Sequence, residues 1–241
     1  MNHSYDIYSE KLVQRVNELY HDFINEEYHY THPDIFLHET KRWKRVFLKF
    51  LKMNTSLTIL DIGTGTGFVP LTIAQFLKKS DTFICSDISK GILDIAKKKL
   101  REQKYQCDFK FIKIEKNIPF KLSFESNSID IITLNSVLHH IKDTNFFLNE
   151  INRILKKNGL VFIGHEPNHY FYNSRVLKIT NFIMNNAYPP LKIFYNFRAL
   201  LRKKRNSTSK YLTKKINEVL IEENLIQDFL VARNRQCLGL M

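Results

Sequence analysis

Three glycines and an acid stand close together in the segment Asp61–Gly67, where glycine occupies positions 63, 65 and 67. Glycines at every second position let the backbone turn sharply and approach a ligand with no side chain in between. The apolar run Leu57–Ile62 leads into this turn and a helical pattern follows it, so free N–H groups and the positive end of a helix dipole face the turn. The segment therefore predicts a ligand site at the carboxyl end of a strand.

Two common nucleotide-binding motifs do not fit these residues. A dinucleotide-binding turn follows the pattern G-x-G-x-x-G. Its third small residue is replaced by Phe68 when the count begins at Gly63, and by Pro70 when it begins at Gly65. A P-loop needs G-K-[ST] after the glycines, and no such sequence follows. The glycine turn belongs to neither class.

A second acid, Asp87, follows the predicted strand Thr82–Ser86 and lies twenty residues beyond Gly67. One helix and one strand of an alternating α/β chain account for that spacing. A carboxylate only accepts hydrogen bonds, so Asp87 can accept from both hydroxyls of a ribose. The alternative is a solvated Asp beside a helix that Ser89 caps.

Taken in this order, these residues resemble the first two motifs of the class I S-adenosylmethionine (SAM)-dependent methyltransferases. The resemblance implies that the glycine turn lies under the methionine part of SAM, that Asp61 positions the ammonium group, and that Asp87 binds the ribose. S-adenosylhomocysteine (SAH) is then the product. The cofactor-binding residues that the resemblance implies are Asp61, Gly63, Thr64, Gly65, Gly67, Asp87, Ile88, Glu115, Lys116 and Asn135.

Two later segments extend the resemblance. Phe111–Phe120 is similar to the family segment in which an acid contacts the adenine amino group; here Glu115 stands where Asp is more usual, and the segment is one residue short. Asp130–Ile141 resembles the ubiquinone/menaquinone-biosynthesis branch, in which this piece borders both the cofactor sulfur and the acceptor. The resemblance covers Leu57 to Glu166, and it implies a small-molecule methyl acceptor, in which an apolar or lipid-like character is one option.

Methyl transfer is an in-line displacement at a carbon that a sulfonium activates, so the enzyme mainly aligns and dehydrates the reactants. A general base is needed only where the acceptor atom carries a proton that must leave. Histidine suits that task near neutral pH. We predict His140, His165 and Glu166 as base or acceptor-orienting residues, with His139 as a further candidate. For each of them, a hydrogen-bonded structural role is the alternative.

The remaining pattern alternates short apolar runs with helical segments, which predicts an α/β fold: a Rossmann-like, doubly wound, mostly parallel sheet with helices on both faces. An N-terminal helical lid and a mainly helical C-terminal extension flank it. We predict a helical cap over 1–55, a SAM-binding core over 56–167 and an acceptor-pocket extension over 168–241, in one globular unit. The predicted strands are 57–62, 82–86, 109–114, 129–134 and 160–163, and the predicted helices include 10–26, 35–51, 92–100 and 143–157.

Some details within this plan carry specific expectations. The helix over 143–157 is expected to end at Asn158-Gly159, a common stop signal. Tyr5, Glu39 and Trp43 are lid candidates, with burial in the core as the alternative. The tail after Asn168 is aromatic and basic, with weak strand candidates at 229–232 and 236–240. Such a tail is consistent with an acceptor pocket or with peripheral contact to a membrane surface.

Composition bounds the function. The net charge of +13 reflects abundant lysine, and we expect no nucleic-acid partner, since no RNA-binding module accompanies it. Three cysteines without metal-ligand spacing, no signal peptide and no membrane-spanning run predict a reduced cytoplasmic protein without a metal. An RNA or protein methyltransferase and a non-catalytic SAM-binding regulator remain as alternatives. The oligomeric state is left open.

Overall fold

The computed structural model describes residues 3–24, 33–51, 56–115, 121–166, 211 and 213–227 of the chain. The chain divides into two compact units. The first comprises residues 1–166 and 224–241, and the second comprises residues 167–223. Within the second unit, the structure describes a helix over 213–222. Its buried side chains Ile216 and Leu220 lie four residues apart, on one face of that helix. The predicted division at 55/56 and 167/168 stays a prediction.

The first unit is built on a parallel sheet of five strands. The strands are β1 (Thr58–Ile62), β2 (Thr82–Asp87), β3 (Asp108–Lys113), β4 (Ile129–Asn135) and β5 (Leu155–Gly164). They are ordered β3-β2-β1-β4-β5, and every neighbouring pair is parallel. The order reverses between β1 and β4, so the carboxyl ends of β1, β2 and β4 border one crevice where open α/β sheets bind ligands. The parallel α/β fold is confirmed.

Helices lie between the strands and before them. They are α1 (His3–Ile24), α2 (Pro33–Phe50), α3 (Phe68–Ile73), α4 (Lys90–Arg101) and α5 (Thr144–Ile154), with short 3-10 turns at Ala74–Phe76 and Leu138–His140. The expected cap of α4 is confirmed, because Ser89 Oγ accepts a hydrogen bond from Ile92 N at 3.1 Å. Asp143 caps α5 in the same way through Phe146 N, at 2.9 Å.

Two apolar layers cover the two faces of the sheet, as continuous apolar strands predict. On one face, Phe47 and Ile73 from helices α2 and α3 pack with Ile59, Phe83 and other strand residues. The opposite face carries a second cluster in which α5 contributes three side chains. These are Phe147, Ile151 and Ile154. Because both faces are covered, the functional groups of the first unit are concentrated at the strand ends.

The end of α5 differs from the prediction. The helix ends at Ile154, because Leu155 takes an extended conformation (ψ 135°) and pairs with Ile129 of β4. The register then shifts between Ile129 and Ile131, and Asn158 adopts a left-handed conformation (φ 67°) inside β5. Asn158-Gly159 therefore marks an irregularity within a strand, since cross-strand pairing begins before the stop signal is reached.

Several other expectations concern residues outside the described ranges, among them the part of the aromatic, basic tail over 168–210 and the candidate strands at 229–232 and 236–240. No helix in the described ranges is both long enough and apolar enough to span a membrane.

Candidate functional site

The glycine turn after β1 favours glycine at all three positions, because Gly63, Gly65 and Gly67 have φ values of +71°, +56° and +95°. A Cβ atom at Gly63 would lie 2.5 Å from Val137 Cγ2, so the turn also packs directly against the segment that follows β4. A Cβ at Gly65 would meet no atom within 4 Å. The middle of the turn therefore faces open space, as a ligand platform must.

Thr64 fastens this turn to the end of β2. Its backbone N–H donates to Ser86 O at 2.9 Å, and its Oγ1 accepts from Ser86 N at 3.0 Å. Ser86 Oγ in turn donates to Asp61 O at 2.8 Å. Thr64 is buried, so its role here is to position the backbone of the turn.

Asp61, the acid that precedes the turn, is deeply buried, with 1% of its surface exposed. Its Oδ1 accepts a hydrogen bond from Thr133 Oγ1 at 2.6 Å, and its Oδ2 is buried without a hydrogen-bond partner among the described residues. Burial raises the pKa of Asp61 to about 7, although the Thr133 hydrogen bond opposes the rise. An unpartnered buried carboxylate oxygen is costly, and a cationic ligand group would remove that cost.

Asp87 uses both carboxylate oxygens to hold the loops around it. Oδ2 accepts from Gly65 N at 2.8 Å and Oδ1 accepts from Ser89 N at 2.9 Å. A carboxylate only accepts hydrogen bonds, which is the type of group that ribose hydroxyls need as a partner. Ile88, half-buried, comes directly after it. The ribose-binding role predicted for Asp87 stays a prediction that this geometry accommodates.

The predicted adenine site is only partly described. Glu115 is exposed and lies just beyond β3, and Lys116 is outside the described ranges. Lys113, the last residue of β3, forms an ion pair with Glu18 at 3.1 Å.

Asn135, predicted to bind cofactor, ends β4 and faces Trp43. Its Oδ1 accepts from Trp43 Nε1 at 2.9 Å. A Cβ at Gly164, the last residue of β5, would lie 2.8 Å from the Trp43 ring. Trp43 is therefore packed on the ends of both strands and is buried, which corresponds to the core alternative in its prediction. Glu39 lies on the same helix and pairs with Arg42 at 3.4 Å. The side chain of Tyr5 is outside the described set.

Glu166, which follows β5, connects the end of that strand to the turn that follows β4. Its Oε1 accepts from Val137 N at 2.5 Å and from Leu138 N at 2.7 Å, and its Oε2 accepts from His139 N at 3.3 Å. His139 Nδ1 lies 2.9 Å from the same Oε2. Burial alone raises the pKa of Glu166, but the hydrogen bonds from His139, Leu138 and Val137 outweigh it, so the pKa lies below its usual range. Such a carboxylate orients its neighbours better than it removes protons.

The three histidines differ in their surroundings. The rings of His139 and His140 are adjacent, with centroids 4.1 Å apart. His140 is half-buried, and its Nδ1 lies 3.2 Å from Asn17 Oδ1. His165 is exposed, has φ +52° and forms no hydrogen bond through its ring with any described residue. A carboxylate, that of Glu166, lies within hydrogen-bond distance of His139 Nδ1. The sequence does not single out His139 among the histidines, because its partner Glu166 lies 27 residues further along the chain.

Helix α1 crosses the carboxyl edge of the sheet and contacts several strand-end loops. Asn17 Nδ2 donates to His140 O at 3.4 Å after β4, buried Glu18 pairs with Lys113 at the end of β3, and Asp22 accepts from Ser89 after β2. These contacts are consistent with the predicted helical lid. The sequence predicted the helix but not these three residues, because their partners lie between 67 and 123 residues away.

Within the described ranges, no three His, Cys, Asp or Glu side chains are grouped as a metal site would require.

Residues 60–163 match the family model described as a methyltransferase domain. The demethylmenaquinone methyltransferase of Lactobacillus johnsonii is 33% identical over 121 residues, which make up 50% of this chain and 48% of that protein. The enzyme of the same name from Lactococcus lactis is 30% identical over 154 residues, 61% of this chain and 57% of that protein. The chain thus spans about half the length of these curated relatives.

Among solved structures, a SAM-dependent methyltransferase from Leishmania major is 17% identical, with a TM-score of 0.48. The similarity covers 68% of this chain and 64% of that one.

Proposed function

We propose that this protein is a class I, SAM-dependent methyltransferase that transfers a methyl group from SAM to a small molecule, with a quinol-type aromatic ring as the acceptor. The proposal is supported by the match of residues 60–163 to the family model described as a methyltransferase domain. The quinol acceptor is suggested by the names of similar proteins, the demethylmenaquinone methyltransferases. The observation that carries the proposal is the buried, unpartnered Oδ2 of Asp61 beneath an open glycine turn.

The residues around the turn fit the cofactor. SAM, when bound, supplies a methyl group that its sulfonium activates, and a cationic amino group that a carboxylate can bind. Asp61 Oδ2 is the acceptor available for that amino group. Asp87 is an acceptor-only group that contacts the glycine turn through Gly65 N, which suits binding of ribose hydroxyls, and the open side of Gly65 leaves room for a ligand.

In this proposal His139 is the general base. A quinol ring carbon or hydroxyl loses a proton as it gains the methyl group, and a base must take up that proton. Glu166 accepts from the Nδ1–H tautomer of His139, which leaves the Nε2 lone pair free to receive the proton. In the same proposal, His140, whose ring lies beside that of His139, orients the acceptor. The earlier predictions of His140, His165 and Glu166 as bases remain alternatives.

A thermal-shift titration with SAH, with NAD as the comparison ligand, tests the cofactor. A ligand that binds only the native state stabilises it by about 2.7 kcal/mol at a hundredfold excess over its dissociation constant. We expect a rise in melting temperature with SAH and none with NAD. The rise should be smaller in Asp87→Ala and unchanged in Asp94→Ala, which removes an exposed acid from α4. No rise at saturating SAH would refute the proposal.

Methyl transfer to a short-chain demethylmenaquinol, followed by mass spectrometry, tests the acceptor. Transfer to RNA or to a protein substrate, without transfer to any quinol, would favour the alternative of a macromolecular acceptor. Binding of SAH without transfer to a broad panel would favour the non-catalytic regulator. The proposal includes a reducing, cytoplasmic setting, with which the free cysteines Cys85 and Cys107 are consistent. It also includes peripheral membrane contact through the aromatic, basic tail, which vesicle co-sedimentation would test.

A further inference from the structure

Two left-handed residues shape the carboxyl ends of β4 and β5. Ser136, directly after β4, has φ +63°, and His165, directly after β5, has φ +52°. Residues other than glycine rarely adopt this conformation, and it persists where surrounding contacts impose it. Ser136 N donates to Gly164 O at 3.0 Å, so a backbone hydrogen bond joins the two turns where they leave the strands. The paired turns direct the chain after β5 back towards the chain after β4.

The side chain of Glu166 forms a second connection between the two turns. The Glu166 carboxylate accepts from three consecutive backbone N–H groups, those of Val137, Leu138 and His139. Only 15% of the side chain is exposed, so little water competes for these hydrogen bonds. Charge-assisted hydrogen bonds are about twice as strong as neutral ones. Glu166 therefore fixes the backbone of the 137–139 turn, in addition to its contact with the His139 ring.

The turn held in this way touches the glycine turn after β1. Val137 is buried, and its Cγ2 occupies the space where a Cβ of residue 63 would lie, at 2.5 Å. A shift of the 137–139 turn would move the Val137 side chain and leave Gly63 without its packing partner. Protein interiors are close-packed, so such a shift is transmitted to the neighbour.

From this chain of contacts we infer that Glu166 is a positioning residue for the cofactor side of the site, acting through the Val137–His139 backbone and the Val137 side chain on Gly63. This inference rests on the proposed function and assigns Glu166 a role that is separate from orienting His139. It predicts that loss of Glu166 weakens cofactor binding, whereas loss of the His139 ring alone does not.

The test is a measurement of SAH affinity by calorimetry on the full chain, together with kcat and the KM for SAM. We expect Glu166→Ala to weaken SAH about tenfold, within the roughly 5- to 150-fold range common for coupled sites. Glu166→Gln keeps an acceptor oxygen and should recover part of that loss. Val137→Ala should weaken SAH in the same direction, with kcat reduced less than in Glu166→Ala. His139→Phe keeps the backbone contacts and should lower kcat while leaving SAH affinity within about twofold.

Controls separate this inference from the proposed function. Glu125→Gln, which changes an exposed acid near β4, should behave as wild type, and ligand-free melting temperatures identify any variant that fails to fold. If Glu166→Ala does not fold, Glu166→Gln takes its place under the same criterion. If wild-type protein binds SAH and Glu166→Ala, or Glu166→Gln in its place, binds SAH equally well, the positioning role of Glu166 is refuted and the proposed function is not. Wild-type protein that does not bind SAH would overturn the proposed function and this inference with it.

Discussion

Thr133 Oγ1 donates to Asp61 Oδ1 at 2.6 Å, whereas Asp61 Oδ2, on the same buried carboxyl group, has no partner among the described residues. One half of the group is therefore satisfied by the protein and the other half is available to a ligand. Burial raises the pKa of this carboxyl from 3.8 to about 7, so its charge changes around neutral pH.

The raised pKa of Asp61 makes the stability of the ligand-free protein depend on pH. Between pH 4 and 7 the folded state binds more protons at Asp61 than the unfolded state, so this residue's contribution to stability is complete below pH 3.8 and is lost as the pH rises to about 7. Asp61→Asn cannot ionise. Its stability relative to wild type should therefore increase from pH 5 to pH 8, as measured by chemical denaturation. A difference that is constant with pH would contradict the raised pKa.

The same substitution should act oppositely on ligand binding. An ionised Asp61 attracts the ammonium group of SAH, so we expect Asp61→Asn to weaken SAH by at least about tenfold, which corresponds to about 1.4 kcal/mol. Wild-type affinity should increase as the pH rises through 7, and the variant should not follow that increase. Calorimetry at pH 6 and pH 8 measures both. Equal affinities for the two proteins at pH 8 would exclude Asp61 as the ammonium partner.

Two glycines of one turn should respond differently to alanine. Gly63→Ala combines a left-handed residue with a Cβ 2.5 Å from Val137, so it should cost about 2–4 kcal/mol of folding free energy. Gly65→Ala meets no neighbour and should cost about 1 kcal/mol. Its methyl group faces the open side of the turn, so SAH affinity should fall markedly. Urea denaturation and calorimetry together distinguish a packing defect from a blocked site.

The histidines offer a direct choice between bases. His165 holds a left-handed conformation that glycine adopts readily, so His165→Gly should stay within about 1 kcal/mol of wild-type stability. If His139 is the base, this variant keeps its turnover. His139→Asn should then lose about 100-fold or more in kcat, the usual contribution of a general base. The reverse pattern in single-turnover assays would assign the base to His165.

Helix α1 depends on one buried acid. Glu18 Oε2 and Oε1 pair with Arg15 at 2.6 Å and Lys113 at 3.1 Å, and only 5% of the side chain is exposed. Glu18→Ala leaves two cations without this partner and should cost about 1–3 kcal/mol. Arg42→Ala removes an exposed pair on α2 and should cost about 0–1 kcal/mol. Hydrogen exchange should accelerate in α1 for the first variant only.

The sequence was sufficient for features that depend on neighbouring residues. Short segments rich in apolar residues located all five strands, and alternating glycines located the turn whose φ values are positive. The cap at Ser89 was also predictable, because its partner Ile92 lies three residues away. Each of these signals comes from residues close together in the sequence. The burial of a parallel sheet on both faces favours the same apolar strands.

Features that depend on distant residues were not predictable in this way. The end of α5 was misplaced, because pairing of Leu155 with Ile129 overrides a local stop signal. The partners of Glu166 and of Asn135 lie 27 to 92 residues away, so neither the His139 contact nor the Trp43 contact has a sequence signature. Sequence spacing places a residue at the sheet edge, but only the fold determines which neighbour it contacts.

Trp43 is the only tryptophan in the chain, and its indole N–H is held by Asn135 at the end of β4. Indole emission responds to the polarity and hydrogen bonding around the ring. The protein therefore carries its own optical reporter beside the candidate site, and any rearrangement of the β4 end on ligand binding should change the intrinsic fluorescence without a dye or a label.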